Sequence, residues 1–426
     1  MKKKLFALLM IAPLLAGCNF KYVYNISGLS QTGSGEDDDD IDDAGTYNIK
    51  IWVDDKIVDL TRTQVGSFIA ESGGKYTINA TIEPVSEAVA ASNMLQDVQD
   101  GADIFCFAQD QLTRLKVAGA LTKITGNMAD AVKADTSVDS VTAASINGNM
   151  YAFPITADNG YFLYYDKSVM SADDASNMTS LLAKCQAAGK KLNFEARSNG
   201  FYAVSYFVGT GCSSTWDIDD KSGKFTAYHD NFNSAEGKIA AKGLKELDNT
   251  DLVATNSQAS KLGSTAAALV SGIWEYDVAL KRLGENLGCA ALPSFTVDGK
   301  DYHLGSFDGY KLLGVKPQVD AKKASVCRKL ARYLTNEACQ GERFDVASWG
   351  PTNVAASQKE SVLAHPGLQA LNAQHEFAAP QGQCPGNWFS ALATTATAVK
   401  KDSSDSQIAS ILANYEAGLN DLLSDD

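Results

Sequence analysis

Three stretches of this 426-residue chain place aromatic rings beside carboxylates or amides at the ends of apolar runs. In the first, Ile104-Phe105-Cys106-Phe107 runs into Gln109-Asp110-Gln111, after which Leu112, Leu115, Ala118 and Leu121 recur at helical spacing. This reads as a strand buried on both faces, hence inside a parallel sheet, then a polar corner and a helix. Open α/β sheets bind ligands at such strand C-termini, so Phe107, Asp110 and Gln111 are candidates for lining a cleft. An ordinary solvated corner would give the same residues. In the second stretch, a small-residue strand from Ala266 reaches Gly272, and Trp274, Glu275 and Tyr276 arrive together. Two rings and a carboxylate suit a sugar, whose apolar faces stack and whose hydroxyls need acceptors. A core tryptophan would fit the pattern equally well. The third stretch is the loop Pro380–Ser390, which ends on Trp388 and Phe389 and opens the final helices.

Other chemistries find little support. Four histidines occur, with no HExxH; GxSxG, GxxxxGK[ST] and CxxC are also missing. Gly209-Thr210-Gly211 lacks the third glycine of a dinucleotide fingerprint. Asp217 and Asp219 suggest a calcium loop, but Lys221 sits where a ligand is needed. No cofactor or metal is therefore expected. The formal net charge of -14 argues against a nucleic-acid partner, which requires concentrated Lys and Arg. Aspartates and glutamates are plentiful enough for a glycan-cleaving acid–nucleophile pair, though most carboxylates on a protein surface are simply solvated.

The N-terminus reads as an export signal. Lys2–Lys4 precede an apolar run from Leu5 to Leu15, too short for a comfortable membrane span, and small residues follow. Leu15-Ala16-Gly17-Cys18 resembles a bacterial lipobox, which implies removal of residues 1–17 and lipidation of Cys18 on the outer face of the cytoplasmic membrane. Residues 18–45 carry Glu36, Asp37–Asp40, Asp42 and Asp43 and read as a self-repelling tether. Of the other seven cysteines, Cys106 and Cys289 read as buried thiols, while Cys185–Cys212 or Cys327–Cys339 could pair.

About 380 residues remain, more than one core usually holds, so two lobes are expected. Strand-like and helix-like segments alternate, which makes the class α/β with mostly parallel sheets flanked by helices. Thr46–Val53 and Tyr76–Ile82 read as strands, and Phe153-Pro154-Ile155 and Tyr161–Tyr165 read as extended on either side of Asp158-Asn159-Gly160. An extended segment crossing between lobes has this form, with the crossing at Thr156–Gly160. Trp349-Gly350-Pro351-Thr352 is a second candidate crossing.

The ordered set IKIWVDDK, ADIFCFAQDQLTRLKVAGALTKIT, INGNMYAFPITADNGYFLYYDKS, ALVSGIWEYD, LGCAALPSF, LARYLTNEACQ and GNWFSAL resembles the family 1 extracellular solute-binding proteins of ABC importers, and within it the maltose-binding group. The resemblance implies a two-lobed periplasmic-binding-protein-like fold with crossing hinge segments. One lobe would comprise 46–156 plus 306–352, and the other 157–305 plus 353–426. It implies a non-enzymatic monomer that captures an oligosaccharide and delivers it to a membrane permease. It also implies site positions. Trp274 and Trp388 match sugar-stacking aromatics, with Glu275 beside the first. Phe107 stands for a tryptophan, Asp110 matches a sugar-binding acid, and Gln111 replaces an arginine. Asp158 stands near a glutamate, Lys56 matches a lysine of the first loop, and Asn199 lies where the group has an acid, with Phe201 keeping an aromatic role. A surface glycan sensor or adhesin, or a glycan-cleaving enzyme, would be the alternatives.

Overall fold

The computed structural model describes residues 41–219 and 221–423. The export signal, Cys18 and the tether as far as residue 40 lie outside the described residues. Two five-stranded sheets organise the chain. The first has the order Tyr76–Pro84, Gly45–Val53, Ile104–Ala108, Lys311–Val315, Ala152–Thr156; the second runs Val253–Ala254, Lys191–Asn193, Ala266–Ser271, Phe162–Asp166, Leu287–Ala290. In each sheet the fourth strand is antiparallel to both neighbours while the other four point one way. The central strand Ile104–Ala108 therefore has one parallel and one antiparallel neighbour, rather than the wholly parallel setting its apolar run suggests.

Each reversed strand is the one the chain enters when it changes lobes. Ala152–Thr156 belongs to the first sheet and Phe162–Asp166 to the second, with 157–161 between them. The chain returns through 309–310 into Lys311–Val315, and passes the same place again at 349–353. The three passages are bonded to one another. Ala157 N–H donates to Gly350 O (2.9 Å), Asn159 N–H to Gly309 O (3.1 Å), and Thr352 Oγ1 to Pro154 O (3.1 Å).

Two apolar cores result. The first spans the first sheet and one face of the second, and the second lies under the helices Gly200–Gly209, Ala235–Asp248, Trp388–Ala398 and Asp405–Leu422. Along Phe162–Asp166 the side chains alternate between them, as strand geometry requires: Phe162 and Tyr164 enter the first, Leu163 and Tyr165 the second. Helix starts carry their own acceptors. Ser86, Asn177, Ser234, Asn336 and Ser404 each accept a first-turn backbone N–H. All seven cysteines among the described residues are free thiols, so neither candidate pair is joined, and Cys289 is only half-buried.

One acid assigned to the tether is not solvated. Asp43 is fully buried at the first sheet's edge and accepts from Lys75 (2.6 Å), Lys329 (2.9 Å), Ser325 (2.8 Å) and Tyr76 (3.0 Å). Its own carbonyl accepts from Tyr47 OH at 2.6 Å. Burial alone would raise its carboxyl, but these four donors outweigh it and hold the group well below the usual carboxylate range. Such a carboxylate stabilises the fold above its unfolded pKa and loses that contribution as the pH falls. Asp43→Asn should therefore cost about 3 kcal/mol at pH 7. Urea melts at pH 7 and pH 3 would check this, since the gap between variant and parent should narrow in acid.

Candidate functional site

The loops at the C-terminal ends of the strands of both sheets converge on the three passages. Three neighbouring groups of side chains lie there. The first surrounds Lys311, which opens its strand and is fully buried. Its ammonium lies 3.0 Å from Glu87 Oε1, 3.9 Å from Asp158 Oδ1 and 4.2 Å from the centre of the Trp349 ring. Burial pulls an ammonium down, but the charges of Glu87 and Asp158 outweigh it and keep the lysine protonated. The Trp274 ring, from the second sheet's side, sits 5.7 Å from the same cation. That indole folds back over its own strand end, and only glycine leaves room: a Cβ on Gly272 would lie 2.1 Å from it. Lys56 reaches from the first sheet's loop to donate to Trp274 O (2.5 Å) and pairs with Asp277 at 3.6 Å. Glu275 is half-buried and accepts from Ala259 N–H at 2.6 Å; burial raises its carboxyl.

The second group is the corner after Ile104–Ala108. Asp110 is buried, accepts from the Gln111 amide, and leaves Oδ1 without a partner among the described residues. Burial pushes its carboxyl up to about 6, against the lowering pull of Gln111 and Arg114. Arg114 donates to Gln111 Oε1 at 3.1 Å. A guanidinium therefore does stand beside Asp110, one helical turn beyond the position where Gln111 lacks one.

The third group lies where the helices Gly200–Gly209 and Trp388–Ala398 begin. They touch so closely that a Cβ on Gly200 would meet Phe389 O at 2.0 Å. Beside this contact is a cavity of about 350 Å³ lined by Glu195, Ser198, Asn199, Gly200, Phe389, Ser390 and Ala393. Asn199 caps its helix by accepting from Phe201 N–H and donates to Glu195 Oε2 at 3.2 Å. Phe201 packs edge-on to Tyr161 at 5.1 Å and lies 6.1 Å from Phe389. An acid is present here after all, four residues before Asn199.

Three expected contacts take other roles. Phe107 is wholly buried, its ring turned onto Gly314 of the neighbouring strand, where a Cβ would come within 3.0 Å. Trp388 is only 2% exposed: it packs among Phe232, Phe307 and Trp216 and donates from Nε1 to Tyr415 OH at 2.9 Å. Its neighbour Phe389 is the ring that reaches the cavity. Asp158 is fully buried with both oxygens committed, Oδ1 to Thr156 Oγ1 and Oδ2 to Gly350 N–H, each at 2.6 Å. It fastens two passages together.

Residues 67–370 match the family model described as bacterial extracellular solute-binding protein. The chain belongs to this family. As a member it is an exported solute-binding protein, and among the described residues no helix is long and apolar enough to cross a membrane. Solved structures agree in fold. One determined with acarbose has a TM-score of 0.77 at 26% identity, covering 89% of this chain and 100% of its own. The unliganded maltodextrin binding protein MalE1 from L. casei BL23 has a TM-score of 0.73 at 22% identity, covering 90% of this chain and 100% of its own. The GacH receptor of Streptomyces glaucescens GLA.O, solved unliganded and with acarbose, has a TM-score of 0.70 at 17% identity over 89% and 98%. No curated protein sequence matches the chain.

Composition hid Glu195, Arg114 and Lys311 among ordinary surface charges. Two had a readable signal: Arg114 lies three residues beyond Gln111 on one helix face, and Lys311 opens an otherwise apolar strand. Asp110 has a measurable signature. A carboxyl raised by burial costs stability as the pH rises from its unfolded value to its folded value of about 6, so stability falls between about pH 4 and 6. Asp110→Asn should raise ligand-free stability by about 1–3 kcal/mol at pH 8 and by almost nothing at pH 4. Thermal melts of parent and variant at the two pH values measure it.

Proposed function

We propose that this solute-binding protein captures a malto-oligosaccharide or a related oligosaccharide between its two lobes and delivers it, uncleaved, to the permease of an ABC importer. What supports the reading is that loops at the C-terminal strand ends carry Trp274 with Lys56, Asp110 with Gln111 and Arg114, and Glu195 and Asn199 with Phe389. Rings give a pyranose its stacking faces, and amides and carboxylates take its hydroxyls. The maltodextrin- and acarbose-related relatives support the same ligand class. A receptor needs no activated nucleophile, and two acids near the seam are already committed: Asp158 to Thr156 and Gly350, and Glu275 to Ala259. Lobe closure would exclude water and strengthen each remaining hydrogen bond. We further propose that lipid on Cys18 holds the monomer at the outer face of the cytoplasmic membrane.

Isothermal titration against maltose, longer malto-oligosaccharides, cyclodextrins and unrelated oligosaccharides tests this, with each mixture assayed for released sugar. Binding with intact ligand is the expected result; products would turn the argument to the carboxylates, and silence would remove the ligand class. Trp274→Ala and Phe389→Ala should each weaken binding by about 1–3 kcal/mol. Trp388→Ala should instead cost about 3–5 kcal/mol of folding stability, because it empties a packed core. Cys18→Ala should move the protein from the membrane fraction to the soluble fraction.

A further inference from the structure

The loop between Ala378–Pro380 and the helix Trp388–Ala398 carries two glutamines, Gln381 and Gln383, either side of Gly382, whose φ of +63° is a left-handed conformation that glycine accepts readily. Cys384 and Trp388 anchor this loop in the second core. Gln383, however, bonds to the first lobe. Its Oε1 accepts from Thr113 N–H at 3.1 Å, and its Nε2 donates to Gln109 O at 2.6 Å. Thr113 lies in the first turn of the helix Leu112–Val117, where a backbone N–H has no partner within the helix. That helix has no side-chain cap from its own N-cap residue, Gln111, whose amide is turned to Asp110 and Arg114 instead.

We propose that Gln383 is an interlobe positioning residue: it caps the Leu112–Val117 helix from the opposite lobe, holds the Asp110 corner in place and latches the lobes in the arrangement described here. The rest of the loop is built for this. Gln381 N–H donates to Asp308 O at 3.0 Å, and Asn159 Nδ2 donates to Gln381 Oε1 at 2.9 Å, so two of the three passages fix the loop. Gly309 makes room for it, since a Cβ there would lie 2.6 Å from Gln381 Oε1. On the other side, Gln109 N–H donates to Tyr310 O (3.1 Å) and Tyr310 N–H to Gln109 Oε1 (2.8 Å). Corner and latch loop are thus both held beside residues 308–310, and on this proposal a rotation there that parts the lobes breaks the two Gln383 bonds. A bound ligand held at Asp110 would then leave at the rate the latch opens.

The last point rests on the oligosaccharide reading; the latch itself does not. The test therefore begins without ligand, on the mature protein. Amide hydrogen exchange should show Thr113 protected in the parent and exchanging about tenfold faster in Gln383→Ala, as loss of two ordinary hydrogen bonds implies. Small-angle scattering should show a larger radius of gyration. Amides of Phe162–Asp166 should keep their protection, which reports an intact fold. Gln383→Glu keeps the acceptor for Thr113 and loses the donor to Gln109, so it should fall between parent and alanine variant. Unchanged Thr113 exchange and an unchanged radius in Gln383→Ala would overturn the latch. With an oligosaccharide from the titration panel, stopped-flow release should be about tenfold faster in Gln383→Ala. If the exchange effect holds while no sugar binds the parent, the latch stands and the ligand class falls.

Discussion

Lys311 holds a charge where no water reaches it, and the arrangement of the lobes follows from how that charge is met. An isolated ammonium in such a place would cost far more than the fold can spare. Here it is surrounded by Glu87 from the first lobe's helix, Asp158 from one passage, Trp349 from another, and Trp274 from the far side. Each partner comes from a different part of the chain. The lysine itself opens the reversed strand of the first sheet, so the chain cannot change lobes at this point without bringing the charge with it. Asp158 would be equally costly alone; its bonds to Thr156 and Gly350 tie it to two passages at once. Polar groups thus specify the crossing geometry, where apolar packing alone would leave it loose.

That rigidity sits beside a seam made of weaker bonds. Among the contacts from lobe to lobe, the hydrogen bonds of Lys56 to Trp274 and of Gln383 to the Asp110 corner are singles or pairs, each worth little on its own. A fixed pivot with a lightly held seam is what a binding protein requires. The closed form must be close enough in energy to the open one that a modest ligand contribution decides between them. Asp110 adds to this poise. A buried carboxylate with an oxygen left over makes the ligand-free structure less comfortable than it would be with that oxygen satisfied.

Much of the architecture was legible in the sequence because strands announce themselves by composition. Ile104-Phe105-Cys106-Phe107, Ala266–Ser271 and the two extended pieces around Asp158 all lie on strands of the structure, and the passage falls between those pieces. What sequence could not supply was the direction of individual rings. Phe107 and Trp388 stand at strand and helix ends, where cleft and core are both within a side chain's reach. Gly314 drew Phe107 inward, and Tyr415, 27 residues on, drew Trp388. In each case the deciding residue is distant in the chain. Asp43 failed for the same reason: the preceding acids suggested a solvated run, and only folding brings Lys75 and Lys329 to it. Gln383 had no local signal at all, since its partners lie some 270 residues earlier.

The knot at Asp43 has a mechanical consequence. It is the point where the N-terminal leader meets the folded body, and every one of its partners, Tyr47, Tyr76, Lys75, Ser325 and Lys329, belongs to the first lobe. If the lipid proposed at Cys18 moors the chain, any pull along the leader ends in that lobe. None of these partners belongs to the second lobe. On the proposed anchoring, the first lobe would act as the stator and the second as the rotor.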